Sequence, residues 1–128
     1  MTTMMSWTKD ELTRIGNAEE LHIASVRRDG TLTHPVTIWV VRHEDDLYIR
    51  SVNGRAGSWF RRAQVRNEGH IQTDGMGRDV SFTTADPELS DEIDAAYRRK
   101  YHRYGENILS SVVSRQARTA TIRLIPRS

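Results

Sequence analysis

The sequence predicts a mainly β (α+β) protein: a six-stranded antiparallel β-barrel, closed or split, with two to three peripheral helices. Two observations predict this fold class. Short segments rich in β-branched and aromatic residues recur along the chain, and most are joined by hairpin signals. The regular strand–helix alternation typical of a parallel sheet is not found. With 128 residues, the chain is expected to form a single domain over residues 1–128.

The first predicted elements are a short helix and a strand. Thr8 and Glu11 have the spacing of a capping box, so we expect a helix that begins here and ends near residues 16–17. A strand is expected over residues 21–28. It leads into the Asp-Gly pair at residues 29–30, which is typical of a hairpin turn.

The next strands lead into a loop that contains several arginines and serines. Residues 33–43 are rich in β-branched and aromatic residues on both faces, which predicts a central strand covered on both sides. After a turn at residues 44–46, a third strand is expected over residues 47–52. A loop and a short helix over residues 58–64 follow.

The second half of the chain begins with another predicted hairpin. Its strands cover residues 68–73 and 77–84, and residues 74–76 join them. A last strand is expected over about residues 117–125, because the proline that follows cannot continue the ladder of hydrogen bonds.

The clearest predicted helix lies between this hairpin and the last strand. Asp86 suits the helix cap, Pro87 the first helical position, and Gly105 the end. Acidic residues precede basic ones along it, which matches the helix dipole. An apolar stripe at helical spacing predicts its buried face: Leu89, Ile93, Ala96, Tyr97, Tyr101 and Tyr104.

Composition excludes several classes of protein. Hydrophobic residues make up 37% of the chain and charged residues 28%, and no run approaches the length of about 18 apolar residues that a membrane helix needs. The absence of cysteine excludes disulfides, thiolate metal sites and cysteine nucleophiles. Residues 1–6 lack the features of a signal peptide, so we expect a cytoplasmic protein that does not bind membranes.

The segment from Tyr48 to Trp59 is the most informative part of the sequence. It reads as the end of a strand, a loop of small residues with arginines and serines, and the start of a helix. Backbone N–H groups, hydroxyls and guanidinium groups gathered in this way suit a phosphate. The Asn53-Gly54 pair is also a hairpin signal, so a simple turn is the alternative reading.

These segments together resemble the flavin-binding split barrels, which include proteins like pyridoxamine-phosphate oxidase and the deazaflavin-dependent nitroreductases. The resemblance rests on the order of three segments, residues 30–39, 47–51 and 54–59, and extends from Trp7 to the last strand. Within that group the chain is most similar to the small family DUF2255.

The resemblance implies where a cofactor would bind. In such barrels the flavin phosphate is held just after the third strand, which implies as ligands Arg50, Ser51, Arg55, Gly57 and Ser58. The flavin ring lies beside the second strand, which implies contacts from Pro35, Val36 and Thr37, with Trp39 further along the same face. Trp59 is implied as a further aromatic contact. The group commonly forms homodimers with the cofactor at the interface.

The resemblance also implies the chemistry. The cofactor is expected to be FMN, with F420 or no cofactor as the alternatives, and the protein is expected to be an oxidoreductase acting on a small-molecule substrate. No protein residue is proposed as a catalytic acid or base, because the cofactor carries the chemistry. A barrel that binds flavin, haem or another small molecule without catalysis is the first alternative.

Other functional classes have weaker signals. The five histidines show no metal-binding spacing, so no metal ligand is assigned. Nucleic-acid binding is the remaining alternative, but the 19 basic residues are mixed with 17 acidic ones rather than concentrated in one tract. Arg61 and Arg62 are interpreted as a solvated helix face.

Overall fold

The computed structural model describes residues 6–73 and 75–127. This part does not include residues 1–5, to which most of the signal-peptide prediction applies, or Asp74 of the predicted hairpin turn. The described chain forms one seven-stranded sheet in which all adjacent strands are antiparallel, in the order β2-β1-β5-β6-β7-β4-β3. The strands are β1 (Leu21–Ser25), β2 (Val36–Ile38), β3 (Val41–His43), β4 (Asp46–Arg50), β5 (Glu68–Thr73), β6 (Met76–Thr84) and β7 (Thr121–Pro126).

The sheet is curled into a half-barrel, which confirms the mainly β split-barrel prediction. Its two end strands, β2 and β3, are separated along the chain only by Trp39 and Val40. Since a link of two residues is short, both ends of the sheet must lie close together. This connection positions β2 beside the loop that follows β4.

The prediction of one central strand over residues 33–43 is wrong, and this adds a seventh strand to the expected six. The chain breaks at Val40, whose N–H donates to the Tyr101 hydroxyl over 3.3 Å and whose carbonyl accepts from Lys100 Nζ over 2.6 Å. Because the side chains of Lys100, the last residue of α3, and of Tyr101, the next residue, bind these backbone groups, Val40 joins neither strand. The two halves instead become opposite edges of the sheet.

Five α-helices surround the sheet in the described residues: α1 (Lys9–Asn17), α2 (Ser58–Arg66), α3 (Ser90–Lys100), α4 (Glu106–Val112) and α5 (Arg115–Thr119). The first three were predicted. The capping box of α1 is present, with Glu11 N 3.1 Å from Thr8 Oγ1 and Thr8 N 2.9 Å from Glu11 Oε1. Asp86 caps a short 3₁₀ turn that precedes α3 rather than α3 itself.

Helices α4 and α5 were not predicted, and the last strand starts later than expected. Residue 117, the predicted start of that strand, lies in α5, where Ala117 N is capped by Ser114 Oγ at 3.2 Å. The strand β7 begins at Thr121. Helices of seven and five residues are too short to show a clear helical period in the sequence.

Two apolar cores hold the fold together. The larger fills the barrel and includes Ile15, Leu47 and Leu124. The smaller lies between the outer side of β3–β4 and helices α3 and α4, and includes Tyr48 and Tyr97. Among the described residues, the predicted stripe supplies four of the nine that are buried in this second core: Ile93, Ala96 and Tyr97 from α3, and Tyr101 directly after it. No described helix combines the length and apolar character needed to cross a bilayer.

Candidate functional site

The loop after β4 has the predicted strand–loop–helix form. Ser51 N donates to Ala120 O over 3.2 Å, and a 3₁₀ turn at Gly54–Ala56 leads into α2. Gly57 closes the loop so tightly that a Cβ there would lie 2.4 Å from Ser51 Oγ. The Asn53-Gly54 pair therefore does not form a hairpin. The loop instead holds the Ser51 side chain against the N-terminus of α2.

Arg50 does not take the predicted position of a phosphate ligand. Its side chain is buried beneath α3 and α4, with its guanidinium carbon 5.5 Å from the Tyr97 ring centre. The guanidinium donates to the Asp94 carboxylate, to Thr121 Oγ1 at 2.9 Å, and to the backbone carbonyls of Val112 and Ser90 at 3.0 and 3.2 Å. These internal acceptors engage the donors that a phosphate would need.

Arg55 is directed to a different place from Ser51. Its guanidinium carbon lies 5.7 Å from the Phe60 ring centre, and the residue lines a cavity of about 430 Å³ beside the starts of α3 and α5. Ser51 does not line that cavity. Of the residues that were implied as one phosphate site, Arg50 and Ser51 line a different cavity from Arg55, and Gly57 and Ser58 line neither.

A cavity of about 340 Å³, the ring cavity, brings together most of the other predicted residues. It lies between β2, the loop after β4, the start of α2 and one side of α4. Its lining residues are Val36, Thr37, Ile38, Trp39, Arg50, Ser51, Val52, Asn53, Trp59, Ile108, Ser111 and Val112. Of the predicted site residues, Pro35, Arg55, Gly57 and Ser58 do not line it.

Sequence reasoning missed the wall formed by α4. Ile108, Ser111 and Val112 line the ring cavity opposite the predicted strand and loop. No element was predicted over residues 106–112, because Gly105 was interpreted only as the end of the preceding helix, and nothing in their spacing pointed to the segment 50–59. Only the folded chain shows that they meet.

The ring cavity has aromatic walls that suit a planar ligand. Trp39 stacks on Tyr101 with ring centres 3.9 Å apart and planes at 5° to each other, so the Tyr101 ring restrains the orientation of the Trp39 ring. Trp59 lies 6.2 Å from Phe60 in an edge-on arrangement. Since β2 is an end strand of the sheet, the backbone groups on its unpaired side are available to hydrogen-bond the polar edge of a ring.

A polar network behind Trp39 supports this geometry. The Tyr101 hydroxyl lies 3.0 Å from Glu19 O and 3.2 Å from Val40 O, and burial raises the pKa of this phenol above its ordinary value. Burial also lowers the pKa of Lys100 to about 8. These groups hold the Trp39–Val40 connection in place and do not line the ring cavity.

Histidines and carboxylates do not gather into a metal site in the part of the chain that the structure describes. His22 Nδ1 lies 3.1 Å from Thr37 Oγ1, and His70 Nδ1 lies 2.9 Å from Asp79 Oδ1. His34 lies near Pro35 in a neighbouring cavity rather than in the ring cavity. The candidate site is therefore an aromatic and polar cavity.

The family model of DUF2255, described as "Uncharacterized protein conserved in bacteria", matches residues 11–124. The chain belongs to DUF2255. That match includes every wall of the ring cavity. No curated protein matches the sequence.

Solved structures share the fold of this DUF2255 protein at low sequence identity. HutZ, the haem storage protein from Vibrio cholerae, is 13% identical, with a TM-score of 0.63 over 94% of this chain and 90% of HutZ. An FAD-binding protein from Mesorhizobium loti is 13% identical, with a TM-score of 0.58 over 96% of this chain and 92% of that one. An F420 reductase is 13% identical, with a TM-score of 0.55 over 94% of both chains.

Proposed function

We propose that this DUF2255 protein binds a flavin or deazaflavin in the ring cavity and acts as an oxidoreductase on a small molecule. One observation carries the proposal: the strand, the loop and the helix start that the family resemblance implied converge on one aromatic cavity of about 340 Å³. Proteins of the same fold that bind FAD, or that are named F420 reductase, support this class of cofactor.

The lining residues fit a planar ring with polar edges. Trp39 and Trp59 offer aromatic surfaces on two sides of the cavity, while Thr37 and Ser51 offer hydroxyls. Trp39 is backed by Tyr101, so it does not need to be ordered when a ligand binds. Little reorganisation is therefore required to accept a ring.

The protein residues would bind and orient, and the cofactor would supply the transfer of hydride or electrons. Ser51 and Asn53, which line the cavity, would hydrogen-bond a polar edge of the ring, and the apolar side chains of Ile38 and Ile108 would exclude water from it. No lining residue is assigned as an acid or base. FMN remains the first cofactor to test, and F420 the second.

A homodimer with the cofactor at its interface is part of the proposal. Four large apolar side chains are highly exposed in the described residues: Leu32 at 47%, Val52 at 42%, Val65 at 46% and Ile108 at 48%. Val52 and Ile108 line the ring cavity, and Val65 lines the cavity next to it. A second copy of the chain covering this face would bury them. Light scattering of the purified protein should give twice the chain mass of 14.7 kDa.

The direct test is binding measured by absorption and fluorescence of FMN and F420, first with the unaltered protein and then with a blocked cavity. Ser111→Trp places a large side chain on the α4 wall, and Ser110→Trp places the same side chain on the same helix outside the cavity. We expect binding to be lost only in Ser111→Trp. Lack of binding of either compound to the unaltered protein at micromolar concentration would reject the proposal.

A non-catalytic binding protein is the second candidate, because HutZ has the same fold and is a haem storage protein. Two measurements separate the candidates. Under the proposed function, haem does not bind in the ring cavity, so Ser111→Trp should not remove any absorption shift that haem produces. Bound flavin should be reduced by a nicotinamide or other common donor and reoxidised by an acceptor. A bound cofactor that does not turn over would favour storage.

A further inference from the structure

We infer that Arg28 and Arg62 bind the anionic group of the ligand, in a second cavity beside the ring cavity. This inference rests on the proposed function for the identity of the ligand, and it names the residues that neutralise the ligand's charge. It assigns that role to side chains outside the loop in which the sequence predicted a phosphate.

The second cavity, here the basic cavity, has a volume of about 490 Å³ and lies between the β1–β2 hairpin and α2. Three arginines line it, Arg27, Arg28 and Arg62, together with His34. No carboxylate from the described residues takes part in the lining. A concave surface that collects positive charge without a balancing acid attracts anions.

Arg28 and Arg62 differ from the neighbouring arginines in the contacts of their guanidinium groups. Within residues 6–73 and 75–127, neither guanidinium makes a hydrogen bond or an ion pair. In contrast, Arg27 Nη1 donates to Leu32 O at 2.7 Å and Thr31 Oγ1 at 3.2 Å, and Arg66 lies 3.8 Å from Glu68. The two free guanidinium groups therefore retain all their donors for an anion, whose oxygens accept paired, charge-assisted hydrogen bonds.

The basic cavity adjoins the ring cavity. Val36 of β2 lines both, so the two cavities lie on either side of one residue. On the opposite wall, Trp59 lines the ring cavity while Arg62 and Val65 line the basic cavity. These residues are three apart on α2 and therefore share one side of the helix, with a rise of about 4.5 Å from each to the next.

This arrangement selects a class of ligand. A planar ring between Trp39 and Trp59 would place a short polar chain along α2 and a terminal anion at Arg62 and Arg28. A ring joined through a polyol to a phosphate, as in a flavin or deazaflavin mononucleotide, has this order of groups. The two arginines of the loop are less suitable, because Arg50 is engaged inside the protein and Arg55 lines a cavity that shares no wall with α2.

The experiment compares a phosphorylated ligand with its phosphate-free parent. The affinities of FMN and riboflavin, which differ only in the phosphate, are measured by fluorescence; if only F420 binds, it is compared with the deazariboflavin that lacks its whole anionic tail. The test variant is Arg28→Gln/Arg62→Gln, which keeps side-chain length and polarity but removes both charges. Arg61→Gln is the matched control, since it removes a charge from the neighbouring position of the same helix and does not line either cavity. Arg55→Gln tests whether the loop after β4 binds the phosphate instead.

We expect the double variant to bind the phosphorylated ligand at least about tenfold more weakly, with the affinity for the phosphate-free parent unchanged. Arg61→Gln and Arg55→Gln should change neither affinity appreciably. A loss of phosphate discrimination in Arg55→Gln, but not in the double variant, would overturn the inference and return the phosphate to the loop. Equal affinity of the unaltered protein for both members of the pair would also overturn it.

The anion site can also be tested if the proposed function fails. When neither FMN nor F420 binds, inorganic pyrophosphate serves as the probe, and thermal stabilisation of the unaltered protein is compared with that of the same variants. Stabilisation that is lost only in Arg28→Gln/Arg62→Gln supports an anion site without a flavin. No stabilisation, or stabilisation that survives the double substitution, rejects the site.

Discussion

The Arg50 guanidinium and the Asp94 carboxylate form a hydrogen-bonded ion pair that joins the last residue of β4 to the middle of α3. The side chain of Arg50 is fully buried, and that of Asp94 is 20% exposed. Neutral acceptors on α4 and β7 complete the coordination of the guanidinium. The pair therefore links the sheet to α3, and the Val112 carbonyl links the same guanidinium to α4, which is a wall of the ring cavity.

We expect Asp94→Ala to destabilise the protein by about 3 kcal/mol, because it leaves a buried guanidinium without its counter-charge. Urea unfolding followed by circular dichroism measures this. Asp91→Ala is the matched control on the same helix, since the Asp91 side chain is 91% exposed and its ion pair with Arg118 should matter little. Equal effects of the two substitutions would contradict the buried role of the pair.

Gly57→Ala should destabilise the fold by about 1–3 kcal/mol, because the added methyl group would lie 2.4 Å from Ser51 Oγ. The backbone at Gly57 has a φ of −61°, so the loss would come from contact and not from the backbone conformation. Ser51→Ala/Gly57→Ala removes the clashing oxygen and should recover most of the stability. Lack of recovery in a double-mutant cycle would mean that the loop is not closed in this way.

Tyr101→Phe should cost about 1–3 kcal/mol, because it removes the acceptor of the buried Val40 N–H and a donor to the nearby carbonyls. Tyr104→Phe is a suitable comparison, since the Tyr104 hydroxyl binds the partly exposed Glu19 carboxylate, which water can also solvate. We expect a smaller loss there. Thermal unfolding of both variants measures the difference.

The free energy of unfolding of the protein, measured relative to that of the Lys100→Met variant, should rise with pH between about 8 and 10. Burial lowers the pKa of Lys100 from 10.5 to about 8, so in this range the unfolded chain holds a proton that the folded protein has lost. Below pH 8 both states are protonated and the full cost of burying the charge remains. Urea unfolding of both proteins at several pH values measures the difference, and a flat or falling difference would contradict a buried Lys100.

Local sequence signals predicted the elements whose stability depends on near neighbours. The capping box of Thr8, the apolar stripe of α3 and the hairpin of β5 and β6 all involve residues close in the chain, and the structure has each of them. The strand–loop–helix form of the segment 48–59 was also predicted. Short-range geometry decided these features, so the sequence pattern was sufficient.

Contacts between distant residues decided what the sequence pattern did not show. Residues 33–43 have the composition of a continuous strand, yet Val40 is drawn out of it by Tyr101 and Lys100, which are 61 and 60 residues away. Helix α4 became a wall of the ring cavity although no local pattern linked it to the loop. Which residues contact each other across about 60 positions of the chain depends on tertiary packing, which hydrophobic periodicity does not encode.

The sequence by itself determined that this chain has a mainly β split-barrel fold and belongs to the DUF2255 family, and it predicted a cofactor site near β2 and the loop after β4. The tertiary structure decided which arginines could meet an anion. Arg50, at the end of β4, is turned to Asp94, and Arg55, in the loop, is turned to another cavity, while Arg28 and Arg62 share the basic cavity although 34 positions separate them. Arg50 is held by acceptors from α3, α4 and β7, while Arg28 and Arg62 meet because the β1–β2 hairpin packs beside α2; both relationships join residues that only folding brings together.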